Sequence, residues 1–82
     1  MKSEIFLTAI RNRNEIRFIY GTEEFFVEPY YLSKDKNGNK FLYGKLRSIN
    51  EIKKFDYKFI ANIRVISSRR FSPIIPIIPL SS

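Results

Sequence analysis

A chain of 82 residues with no cysteine and no histidine has room for one small core and excludes disulfides, Cys/His zinc sites and the Ser-His-Asp and Cys-His nucleophile systems. Fifteen Lys and Arg against eight Asp and Glu give a net charge of +7, a field that attracts polyanions by counterion release. The closest carboxylates, Glu23 and Glu24, would point to opposite faces of a strand, so they read as a solvated turn, no catalytic residue is assigned and no cofactor is expected.

Met1-Lys2-Ser3-Glu4 opens without the apolar run of a signal peptide, which leads us to expect a cytoplasmic protein. The longest apolar stretch, Pro73 to Leu80, is too short to span a bilayer and is broken by prolines.

Ser3 to Asn12 reads as a short helix, with Ser3 as N-cap, Glu4 in the first turn, and Ile5, Phe6, Ala9 and Ile10 on the face to bury. Asn12 to Asn14 stop it. The period then changes to alternation. Ile16, Phe18 and Tyr20 share one side of a first strand, with Arg17 and Ile19 opposite. Gly21-Thr22 turns the chain into a second strand, Glu24 to Leu32, where Pro29 predicts an edge or a bulge.

Asp35-Lys36-Asn37-Gly38-Asn39 is the strongest local signal, because Asn-Gly accepts the positive φ angles of a tight hairpin. The same residues resemble the start of a calcium loop, but Gly38 is out of place and no glutamate closes twelve residues. A third strand, Lys40 to Arg47, alternates Leu42, Gly44 and Leu46, read as buried, with Phe41, Tyr43, Lys45 and Arg47, read as presented. Ser48 to Glu51 turns into a fourth strand, Ile52 to Tyr57. An irregular link through Phe59 and Ile60 leads to a fifth, Ile63 to Ile66. One helix followed by five short strands predicts a mostly β fold closing as a small barrel. The domain is drawn as 1–70, followed by a Pro/Ile-rich tail over 71–82 whose prolines recur at every third residue. The apolar tail is expected to pack on its own barrel, on a second copy or on a partner.

Rings and cations interleave on the third strand at Phe41, Tyr43, Lys45 and Arg47. Rings stack on bases at about 1 to 3 kcal/mol each, and adjacent cations neutralise phosphates. Arg17, Lys53 and Lys58 add charge if their strands lie alongside. The plainer reading is a solvated sheet face with cross-strand aromatic pairs.

The helix with Ala9-Ile10, the strand ending at Tyr20, Val27-Glu28-Pro29, the hairpin, Lys40-Phe41-Leu42 and the run Phe55 to Ile60 together resemble a WYL domain over about residues 5–66. The Trp-Tyr-Leu signature falls on Lys40-Phe41-Leu42, keeping only the leucine. The resemblance implies an Sm-like, SH3-type five-stranded barrel acting as a sensor in bacterial transcription regulators. It implies binding of single-stranded nucleic acid or a nucleotide, and a signal passed to a DNA-binding domain; with no helix-turn-helix read here, the expectation is an excised domain, a stand-alone regulator served by a DNA-binding partner protein, or a member that exchanged ligand binding for protein contact. By position it implies Phe41, Arg47 and Lys53 as ligand contacts, and the residue reading adds Arg17, Tyr43 and Lys45. Phe25, Asp56 and Phe59 stand where family arginines are expected, so part of the basic groove is replaced. The alternative is a protein-interaction or homodimerisation module that uses the tail and the barrel edges.

Overall fold

The computed structural model describes residues 1–72, apart from the side chains of Ser68 and Arg69. Helix α1, Lys2–Asn12, is followed by strands β1, Asn14–Tyr20, β2, Glu23–Lys34, β3, Lys40–Leu46, and β4, Ile52–Asp56. A 3-10 turn, Tyr57–Phe59, leads into β5, Ile60–Arg70. The strands form one antiparallel sheet in the order β4-β3-β2-β1-β5. The expected helix and five strands are therefore present, with β5 longer than the apolar run predicted. The foreseen packing of the tail from Pro73 to Leu80 lies outside the described residues.

The core is made where alternating apolar positions meet the helix. Ile16 and Phe18 of β1, Val27 and Leu32 of β2, Leu42 of β3, Phe55 of β4 and Ile60 of β5 pack against Phe6, Ala9 and Ile10 of α1. Ile5, expected in that face, is 36% exposed because it lies off the stripe that Phe6, Ala9 and Ile10 define. Ser3 does not cap the helix. The N-cap position is Met1, without a side-chain bond, and Ser3 Oγ instead shares a 3.0 Å hydrogen bond with Tyr57 OH. Lys2 Nζ donates to Tyr57 O at 2.5 Å and Phe6 meets the Tyr57 ring edge-on, so the first helical turn is docked to the 3-10 turn. At its other end α1 stops at Arg13, in the left-handed region with φ 56°.

The sheet is curled strongly enough for Phe55 of the edge strand β4 to reach β1, its ring lying 5.1 Å from Phe18 and 5.0 Å from Tyr20. Asp56 N–H donates to Tyr20 OH and Gly21 N–H to Phe59 O, which ties the β4 corner to the end of β1. Pro29 marks a bulge, as foreseen, in a central strand: Pro29 pairs with Gly44 and Tyr31 with Tyr43, which leaves Tyr30 as the extra residue.

The β2–β3 hairpin is closed by Asp35. Its carboxylate accepts hydrogen bonds from Asn37 N and Asn39 N, both at 2.9 Å, and from Asn39 Nδ2 at 3.1 Å, while Gly38 takes φ 87°. The Asn39 side chain foremost, then the two backbone N–H groups, hold the Asp35 carboxyl below its ordinary value of 3.8. A carboxyl depressed in the folded state stabilises above its unfolded value, and the contribution is lost as pH falls through the folded one. Acidification below about pH 4 should therefore lower the protection of the Asn37 and Asn39 amides, measured against their intrinsic exchange rates, before the sheet opens. Asp35→Ala should show that loss of protection already at neutral pH; unchanged protection in the variant would contradict the assignment.

Candidate functional site

The outer face of the sheet carries the residues singled out in the sequence, Lys53 excepted, in two zones. In the first, Tyr43 of β3 stacks on its register partner Tyr31 of β2, with centroids 4.7 Å apart and planes 14° apart. Phe41 lies two residues along on the same face, with Lys54 Nζ 4.2 Å above its ring. Lys54 is also the β4 register partner of Tyr43. Both rings are half-buried and Lys54 is exposed, so this zone combines π faces with a cation open to solvent. Lys53 is exposed too, but it pairs with Gly44, and alternation sends it to the other side of β4 from Lys54.

The second zone is charged and largely self-satisfied. Lys45 was expected to be presented and is not: it is only 7% exposed. Its amine turns into the β3–β4 connection, donating to the carbonyls of Leu46 at 3.1 Å and of Arg47 and Ile49 at 3.4 Å. Glu28 lies 3.7 Å away. A turn whose carbonyls need donors has captured the cation that alternation alone assigned to solvent.

Arg47 lies just past the end of β3, and its guanidinium crosses the Phe26 ring at 4.1 Å to form a two-pronged pair with Glu15. Its Nε donates to Glu15 Oε2 at 2.9 Å. The hydrogen bond to Glu15, reinforced by the charges of Glu15 and Glu28, pushes Arg47 further up from its ordinary value. Glu15 is itself only 2% exposed, so an anion that drew Arg47 away would strip a buried carboxylate of a strong partner. Arg17, on β1, is paired with Glu24. Glu15, Glu28 and Lys45 line a small polar pocket with Arg70, Phe71 and Ser72. Phe71 stacks on buried Tyr30 there.

The six sequence-assigned residues thus do not converge on one groove. Phe41 and Tyr43 share an accessible surface with Lys54. Arg17 and Arg47 lie toward β1, each holding a carboxylate. Lys45 is covered, and Lys53 stands apart on the edge strand. Sequence reasoning passed over Tyr31, Lys54, Glu15 and Glu28, although the Tyr30-Tyr31 pair beside Pro29 and the Lys53-Lys54 doublet are visible in the sequence.

No protein-family model matches the chain, and no curated protein does. Among solved structures it is similar to proteasome accessory factor B/C (PafBC) of Arthrobacter aurescens, with a TM-score of 0.78 and 24% sequence identity. The match covers 87% of this chain and 12% of that one. The likeness is one of fold: the helix and curled sheet described above recur as a small part of a longer protein.

Proposed function

We propose that this chain is a non-catalytic sensor module of the kind found in WYL-type transcription regulators, and that its outer face takes a single-stranded nucleic acid or a nucleotide. The observation that carries the reading is the open zone where the Tyr31–Tyr43 stack and Phe41 adjoin Lys54. In this reading Tyr43 and Phe41 offer ring faces to bases, and Lys54 neutralises phosphates. Arg17 and Arg47 bound the surface on the β1 side, where a phosphate competes with Glu24 and Glu15. Lys45 serves the turn and not the ligand. The net charge of +7 and the fold shared with one part of a longer protein support the reading. The DNA-reading arm of such a regulator belongs to a partner protein or to another part of a longer chain.

Fluorescence anisotropy with a labelled oligothymidylate tests this. Binding should be weak and salt-dependent, with about three phosphate contacts giving a log–log slope near −2, and Tyr43→Ala should weaken it by about tenfold.

A second reading, a protein-interaction or homodimerisation module, draws on Phe59, 53% exposed, and Val65, 41% exposed, beside the open edge of β5. The absorbance ratio and mass of protein purified at low salt separate the two. Co-purified nucleotide material favours the first, and a clean dimer favours the second.

A further inference from the structure

The β1–β5 side of the outer face holds a second cation cluster. Arg17 of β1 and Arg64 of β5 are direct register partners, so two like charges stand opposite one another, an arrangement that destabilises a sheet unless something neutralises it. Glu24 answers one of the two charges, and its hydrogen bond is to Arg17 Nε. Among the described residues, no carboxylate forms an ion pair with Arg64. The next residue across the sheet is Phe26, register partner of Arg17, and its ring lies under Arg47, whose charge Glu15 already matches. The local surplus of positive charge therefore falls on the Arg17–Arg64 pair.

The backbone here is shaped as well as charged. Between the pairs Arg17↔Arg64 and Ile19↔Ala61, β5 has two residues, Asn62 and Ile63, where β1 has one, Phe18. Asn62, inside that bulge, takes φ 54°. A bulge of this kind bends the strand and re-aims its side chains. Here it opens a concavity lined by Arg17, Asn62, Ile63 and Arg64. Ile63 of that lining packs against the core, while Asn62 brings an amide that donates to oxyanions.

We infer that the Arg17–Arg64 concavity is a phosphate-binding subsite, distinct from the Tyr43 stacking zone. Planar guanidinium forks match the oxygen geometry of a phosphoryl group, and the bound anion relieves the repulsion across the β1–β5 pair. Glu24 is then a built-in competitor that holds Arg17 in place when no phosphate is present. The inference rests on the nucleic-acid reading only for the source of the phosphate, which is either a terminal monoester or the diester backbone of a strand.

The test uses the whole chain and inorganic phosphate, followed by 1H–15N NMR with sodium chloride adjusted to hold ionic strength constant. Saturable shifts are expected at the Arg17 and Arg64 Nε–Hε signals and at the Asn62 amide, larger than any at Arg47, which Glu15 holds. Arg64→Gln should weaken phosphate binding by about tenfold. Glu24→Gln should tighten it, because the competing carboxylate is gone. Shifts no larger than those produced by chloride alone, or Arg64→Gln binding phosphate as the unaltered chain does, would overturn the subsite. Oligothymidylates with and without a 5′-phosphate then assign the source. Movement of Arg64 with the phosphorylated strand alone indicates the monoester, and movement with both indicates the backbone. Tyr43→Ala should leave the phosphate response intact, so loss of oligonucleotide stacking beside a normal response at Arg64 would count against the stacking zone alone.

Discussion

Phe55→Ala should leave the domain largely unfolded at 37 °C. Phe55 is 2% exposed on an edge strand, and its ring contacts Phe18 and Tyr20 of β1 and Phe25 of β2. It is thus the side chain through which the edge strand β4 shares a core with β1 and β2. Truncating a buried Phe costs about 3 to 5 kcal/mol, and a chain of this length has only about 4 to 12 kcal/mol in total, with small domains at the low end. Thermal unfolding followed by circular dichroism should show the midpoint falling by about 15 to 30 °C. A fall of less than about 5 °C would mean that β4 is not required for the core.

Gly44→Ala should also destabilise, although propensity argues the other way. Gly in a strand interior ordinarily costs about 0.5 to 1 kcal/mol relative to Ala, so the substitution would stabilise an ordinary strand. At Gly44 a Cβ would stand 2.5 Å from Val27 Cγ1 and 2.7 Å from the Glu28 carbonyl oxygen. The Val27 methyl has some freedom to rotate, but the carbonyl belongs to backbone beside the Pro29 bulge and cannot yield without moving the β2–β3 register. Overpacking of this kind costs about 1 to 3 kcal/mol, and backbone involvement places Gly44→Ala toward the upper end. Urea unfolding should show a lower midpoint with an unchanged m-value. A higher midpoint would show that the strands separate more easily than the contact implies.

The fold was legible where one local rule acted alone. Period-two alternation in Ile16-Arg17-Phe18 and the turn chemistry of Asp35 to Asn39 each appear in the structure as read. Of the edge or bulge that Pro29 predicts, the structure has the bulge, in a central strand. The limits of β5 were not legible, because Ser67 to Arg70 carry no apolar signal and the strand end is tied to the helix end by one side-chain and one backbone donor: Arg70 Nε donates to Asn12 O, and Phe71 N–H to Arg13 O. Ser3 was misread because a side chain two positions into the helix found a tertiary partner, Tyr57, that no local rule names.

The candidate site was half-legible for the same reason. Alternation placed Phe41, Tyr43 and Lys45 on one face, but it carries no information about where a long side chain ends. Lys45 ends on turn carbonyls and Arg47 on Glu15, across 32 residues of sequence. The β4 partner of Tyr43 is Lys54 and not Lys53, a choice fixed by register. Glu15 carries no local signal in the sequence, yet its carboxylate decides that Arg47 is held.

The proposed binding of single-stranded nucleic acid to the accessible ring-and-cation surface on β3 and β4 is decided by oligothymidylate affinity measured across a salt series on the unaltered chain and on Tyr43→Ala. The expected result is a slope near −2 for the unaltered chain and about a tenfold weaker Kd for the variant at every salt concentration. Affinity that ignores salt, or that is the same with alanine at position 43, would rule that surface out.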